Sequence, residues 1–159
     1  MKKEPWDPPD GWQMQVREIV PGLFVGTKLV PPAEYATLGV DAIVDLEDWD
    51  YAWIPDVPEG SIFVSFPIED GDAVDPKVRE VAVFVASLVR SGHKVLVHCT
   101  EGVNRSGIVA ARALMEMGST AAEAIELVRI GRGLSHYGTP ALSNHAFVEW
   151  LLAEEAVRR

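Results

Sequence analysis

The single cysteine of the 159 residues, Cys99, is followed after five residues by Arg105 and then by Ser106. A thiolate is a strong nucleophile, and a guanidinium is a planar fork that can hold two oxygens of one phosphate. A hydroxyl beside both can hydrogen-bond a sulfur that departs as a leaving group. Five intervening residues are too few for a regular element and enough for a tight loop. Such a loop can turn its backbone N–H groups inward around a tetrahedral anion. Gly102 permits a backbone conformation that a side chain would hinder. The anion-binding set expected from this spacing is Thr100, Glu101, Gly102, Val103, Asn104 and Arg105, with Cys99, Arg105 and Ser106 carrying the chemistry. A lone cysteine is more often a small buried residue than a nucleophile. Here His98, Gly102, Arg105 and Ser106 stand around it together, and mere packing asks for none of them.

The elements flanking this loop are of the kind that would position it. Val95-Leu96-Val97 is a continuous apolar run, as in a strand buried on both faces. Arg105 to Met117 reads as a helix ended by Gly118. The cysteine therefore falls at the carboxyl end of a strand, where open α/β sheets bind ligands, and the helix N-terminus adds partial positive charge. Elsewhere, Leu23-Phe24-Val25, Asp41 to Leu46 and Ser61 to Phe66 are strand-like. Helices are expected over Ala33 to Leu38, closed by Gly39, and from an Asp75 cap with Pro76 to about Ser91. A third is expected from a Ser119 cap, with Glu123 near a capping-box position, to about Ile130. A last one runs from Thr139-Pro140 through Leu152. Short strands separated by helices predict one α/β domain, with a mostly parallel central sheet flanked by helices. Residues 1–15, rich in proline, read as an irregular arm ahead of a domain spanning 16–159.

His98-Cys99, five residues, then Arg105-Ser106 resembles the signature loop of the protein tyrosine phosphatase superfamily. The short chain resembles the small atypical members of its dual-specificity branch. Ile19-Val20-Pro21-Gly22-Leu23-Phe24-Val25-Gly26 is similar to that family's opening strand, and Phe66-Pro67-Ile68-Glu69-Asp70-Gly71 to the loop that carries its general acid. The resemblance implies metal-free hydrolysis of phosphomonoesters through a phosphocysteine. It places the acid at Asp70, with Asp72, Asp75 and Glu69 as rivals in the same loop. If the Ser61 to Phe66 strand runs parallel to the Val95 to Val97 strand, Asp70 and Cys99 open on one side of the sheet. His98 is expected to hydrogen-bond the loop backbone and tune the thiolate rather than shuttle protons, and Asn104 either to brace the loop or to serve as a tolerant turn residue. Arg132 is a residue that can border the pocket, although the dipole at a helix C-terminus already explains Arg129 and Arg132. Asn144 falls in a region where relatives carry glutamine. Glu47 to Trp53 can line a pocket wall with aromatics or simply anchor a loop.

Composition narrows the choice of substrate. A formal net charge of −10 disfavours nucleic acid and anionic membranes as partners, and Glu101 at the loop mouth disfavours a polyanionic head group. A phosphoprotein or small phosphomonoester is expected. The alternatives are a phosphoinositide, nucleotide or RNA 5′ phosphate, or phosphate binding without turnover. One cysteine rules out an internal disulfide and any cysteine-cluster metal site. His93, His136 and His145 lack ligand spacing, so neither metal nor cofactor is expected. No secretory signal is read at the start, and the longest apolar stretch, Val81 to Val89, is too short to span a bilayer. A cytoplasmic monomer is the expectation.

Overall fold

A computed structural model of the chain describes residues 7–48 and 53–158. Five strands are present: β1 (Val16–Val20), β2 (Leu23–Gly26), β3 (Ala42–Asp45), β4 (Ile62–Ser65) and β5 (Val95–His98). They form one sheet in the order β1-β2-β5-β3-β4. Only the β1–β2 pair is antiparallel; β2, β5, β3 and β4 run parallel. The expected mostly parallel sheet is present, with β1 as an edge strand. Its Val-Arg-Glu-Ile-Val pattern is only partly buried, so it carries little of the apolar signature of the central strands.

Alternation along the strands divides the core in two. Leu23, Val25, Ala42, Val44, Val95 and Val97 face the larger cluster, while Ile43 and Leu96 face the smaller one with Leu29, Tyr35 and Val40. Every residue of β3 and β5 is buried, which fits central strands covered on both faces. The larger cluster lies under α2 (Val78–Arg90), α3 (Arg105–Glu116), α4 (Ala121–Arg132) and α5 (His145–Arg158). The other face is covered by the single turn of α1 (Tyr35–Leu38) and by irregular segments, including Trp53. Helix α3 packs between α2 and α4 and is buried from Ser106 to Met115. Burial on that scale stabilises by roughly 1.5–3 kcal/mol for each large apolar side chain. Buried Glu154 joins three helices, receiving Arg79 Nε at 3.0 Å and facing Arg112 Nε at 3.8 Å.

Four helix starts differ from expectation, each for a local reason. Helix α1 begins at Tyr35 rather than Ala33, after Glu34, whose N–H donates to Thr37 Oγ1 at 3.1 Å. Asp75 caps a turn, its carboxylate accepting from the N–H of Lys77, and α2 begins only at Val78. Thr120, not Ser119, is the cap of α4: its hydroxyl accepts from the N–H of Glu123, and the Glu123 carboxylate accepts from the N–H of Thr120. Pro140 pairs with Leu134 in a short antiparallel bridge, so α5 starts later, at His145.

The registers bring Gly26, His98 and Asp45 side by side across β2, β5 and β3, with Ser65 of β4 next to Asp45. Four parallel strands thus end together. The segments carrying Cys99 and Asp70 leave the sheet at that one edge.

Candidate active site

The loop from Cys99 to Asn104 is stapled at its start to the end of β2. The Cys99 N–H donates to Gly26 O at 3.3 Å, and the Lys28 N–H donates to Thr100 O at 2.9 Å. Gly102 has φ +67°, and a Cβ there would lie 2.9 Å from the Gly26 carbonyl carbon and oxygen. Both the left-handed conformation and the close approach require glycine. On the outer side Arg132 is buried and donates to Gly102 O at 2.7 Å and Glu101 O at 3.0 Å. In a trans peptide the carbonyl and the following N–H point in opposite directions. Drawing those two carbonyls outward therefore turns the N–H groups of Gly102 and Val103 inward. From Glu101 to Arg105, the backbone N–H groups have no acceptor among the described residues. Followed by the N-terminus of α3, they form a cradle for an oxyanion.

Cys99 is 2% exposed at the base of this cradle, with its Sγ 3.4 Å from Ser106 Oγ. Arg105 is oriented through a chain of side chains. Its Nη2 donates to Thr100 Oγ1 at 3.1 Å, and the Thr100 hydroxyl donates to Glu47 Oε2 at 3.0 Å. Lys28 Nζ reaches the same Glu47 oxygen at 3.0 Å, and Lys28 and Glu47 are both buried. Thr100 is thus a hinge of the arginine network as well as a loop residue. Sequence reasoning missed Lys28 and the ionic part of Glu47. These residues follow different strands, and only the parallel register brings them under the loop. Of the aromatic segment, Trp49 and Tyr51 lie outside the described residues, and Trp53 packs on the smaller core as a loop anchor.

His98 is wholly buried beside the cysteine, between Asp45 (Nε2 to Oδ2, 3.7 Å) and Glu47 (Nδ1 to Oε1, 3.7 Å). Burial pushes the imidazole down to about 4, against the opposing pull of Glu47 and the Cys99 backbone. Burial likewise raises Asp45 to about 6, although the Glu47 N–H, Lys28 and Arg105 oppose the shift. Ligand atoms of the three residues lie within 4.8 Å of one another. The acids nevertheless face opposite ring nitrogens, and Lys28 already places a cation on Glu47. That arrangement suits a line of polar groups under the loop better than a converging metal site.

Asp70 stands at the lip of the loop. Its Oδ2 accepts from Asn104 Nδ2 at 3.0 Å and its Oδ1 from Asn144 Nδ2 at 2.7 Å. The Asn144 amide also donates to Gly71 O at 2.9 Å, and its oxygen receives the N–H of Ala146 at 3.0 Å at the start of α5. Asn144 therefore holds the Asp70 segment. Asn104 also receives the Asn144 N–H at 2.9 Å, so its amide joins the loop to both segments. Asp75 is occupied with its turn, and Glu69 and Asp72 are exposed. Arg129 ties α4 to the segment before α5 through the carbonyls of Ala141 (3.3 Å) and Leu142 (2.9 Å). Arg132, expected as a possible border of the pocket, lies behind the loop instead. The contacts of these two arginines go beyond a helix-dipole role. His136 and His145 are exposed, and His93 stands just before β5, at the end of that strand away from the loop, 3.4 Å from Asp41.

A sheet ending in a cysteine cradle, with an arginine at the first position of the following helix, defines the cysteine-dependent phosphatase architecture. The family model "Dual specificity phosphatase, catalytic domain" matches residues 23–156, and the chain belongs to this family. It is 30% identical over 123 residues to dual specificity protein phosphatase 1-A of Xenopus laevis, covering 74% of this chain and 32% of that protein. It is 28% identical over 144 residues to dual specificity protein phosphatase 26 of Bos taurus, covering 86% of this chain and 65% of that one. The chain thus spans about a third of the first relative and just under two thirds of the second. The crystal structure of human DUSP28 superimposes with a TM-score of 0.72 at 25% identity, covering 98% of this chain and 99% of that chain.

Proposed function

We propose that this chain hydrolyses phosphomonoesters on proteins, phosphotyrosine foremost and phosphoserine or phosphothreonine in addition, through a phosphocysteine intermediate. The observation that carries this reading is the pinning of Asp70 by Asn104. A residue of the anion cradle itself holds a carboxyl group at the cradle's rim. Binding alone needs neither a thiol at the base nor an acid at the lip.

The steps follow from the residues. The cradle N–H groups and the Arg105 guanidinium hold the phosphate oxygens. The Cys99 thiolate attacks phosphorus, forming the S–P bond as the P–O ester bond breaks. The departing oxygen takes the proton of Asp70. Water then attacks phosphorus while Asp70 accepts its proton, and the S–P bond breaks to return the thiolate. The Ser106 hydroxyl, 3.4 Å from Sγ, hydrogen-bonds the sulfur as its charge returns. Thr100, with Glu47 and Lys28 behind it, keeps the arginine fork aimed.

The net charge of −10 and Glu101 at the mouth favour a peptide over a phosphoinositide or an RNA end. We read the protein as a cofactor-free monomer of a reducing cytoplasm, where a lone cysteine stays reduced. No helix among the described residues is long and apolar enough to cross a membrane. Side-by-side turnover of phosphotyrosine and phosphothreonine peptides and a soluble phosphoinositide, with and without a chelator, tests the proposal. Both peptides should be cleaved, phosphotyrosine faster, with no change on chelation. Loss of activity with the chelator, or exclusive turnover of the phosphoinositide, overturns it.

A further inference from the structure

Beside the anion cradle lies a cavity of about 210 Å³, and its walls include Asp70, Glu101, Asn104, Ser135, Tyr137 and Thr139. Asp70, Glu101 and Asn104 belong to the lip and loop already described, so whatever enters the cavity sits next to the bound phosphate. Two of its walls are carboxylates and none is cationic. Arg132, close behind Glu101, is spent on backbone carbonyls and on Gln15. The Glu101 Oε2 atom is shut off from solvent and has no hydrogen-bond partner. An unpartnered carboxylate oxygen is costly to leave so. Glu101 as a whole lines the cavity, so a cation entering there meets its negative charge.

Tyr137, on the wall of the same cavity, supplies a second feature of the same sense. Tyr137 is 61% exposed and stands on a fixed turn. The Ser135 hydroxyl accepts the N–H groups of Tyr137 at 3.2 Å and Thr139 at 3.1 Å, and the Ser135 N–H donates to Thr139 O at 2.9 Å. His136 meets the Tyr137 ring edge-on at 5.0 Å between centroids. An aromatic ring on a fixed turn and a carboxylate lining one cavity, with hydroxyls among its walls, suit a guanidinium or ammonium group.

We infer that this cavity is a specificity subsite for a cationic side chain, an arginine or lysine flanking the phosphoresidue of the substrate. The inference rests on the protein-phosphatase reading and adds the substrate's local charge to it. Glu101 is the anchor, since both oxygens of Asp70 already accept from asparagine amides. Tyr137 supplies the aromatic ring.

The test uses the full chain with two phosphotyrosine peptides that differ only in carrying arginine or glutamate beside the phosphotyrosine, and a small aryl phosphate as reference. The arginine peptide should have the higher kcat/KM by about tenfold, the sum of a partly exposed ion pair and a cation–π contact. Tyr137→Ala should lower that ratio through KM for the arginine peptide and leave aryl phosphate turnover unchanged. Glu101→Lys should reverse the order of the two peptides within the same variant. Equal cleavage of both peptides by the unaltered protein, or preference for glutamate, overturns the subsite while leaving the phosphatase reading intact. Cleavage of the aryl phosphate but of neither peptide overturns the protein-substrate reading, and the subsite with it.

Discussion

Asp70 is exposed, yet neither of its oxygens is free: Asn104 holds one and Asn144 the other. Fixing a surface carboxyl in this way removes rotamer freedom before substrate arrives, so less has to be lost at the transition state. A general acid matters most when the leaving group is poor and little when it departs unaided. Asp70→Asn should therefore slow alkyl phosphates and phosphotyrosine by about a hundred- to ten-thousand-fold, and an activated aryl ester far less. The alkaline fall-off of the rate should flatten in the same variant. Asp72→Asn and Asp75→Asn are the controls and should stay close to the unaltered protein. A leaving-group-dependent loss in Asp72→Asn and none in Asp70→Asn would move the acid by two residues. That the Asp70 segment leaves the sheet at the same edge as Cys99 was legible in the sequence from the strand before it. The two asparagines that hold it were not, because Asn144 comes from the far side of the chain and an isolated asparagine reads as a turn or cap residue.

At the scale of elements, the ends of β3 and β5 carry two buried groups whose pH responses oppose each other. The His98 imidazole lies at about 4, below its ordinary value, so on acidification the unfolded chain takes up that proton first. Stability falls from that source between about pH 6.5 and 4, by roughly 3 kcal/mol. Asp45 lies at about 6, above its ordinary value, so the folded chain takes up its proton first, and stability rises between about pH 6 and 4 by a similar amount. The two nearly cancel. Asp45→Asn keeps the oxygen that receives the Glu47 N–H and removes the gain. Urea unfolding should show this variant more stable than the parent near pH 7.5 and losing that advantage near pH 5. Parallel stability–pH curves for the two proteins would contradict the assignment. The four parallel strands were readable from their apolar runs, whereas half-buried β1 was not and helix starts were misplaced by a residue or more. Ser119 and Thr120 are equally good caps by type, and only the bond to Glu123 chooses between them. Pro140 suits a helix start, but its pairing with Leu134 depends on a turn that periodicity does not register.

Across the whole molecule, a strongly acidic protein carries an anion cradle with Arg105 at its rim. The parallel sheet makes that possible by ending β2, β5, β3 and β4 at one edge, so that residues far apart in sequence converge there. Cys99 to Ser106 was legible because its residues are contiguous. Lys28 and the ionic role of Glu47 were not legible, and Arg132 was read only as a border of the pocket, because each reaches the loop from a separate segment. Their common effect is to hold a thiol under a ring of inward N–H groups, and the account rests on that thiol being the nucleophile. The direct measurement is rapid mixing with an activated aryl phosphate, followed by acid quench and mass analysis of the peptide containing Cys99. A burst of phenol equal to the enzyme present, with phosphate attached to Cys99, is the predicted result. Cys99→Ser should show neither burst nor turnover while retaining its unfolding transition. Phosphate on any other residue, or turnover retained in Cys99→Ser, would contradict the account.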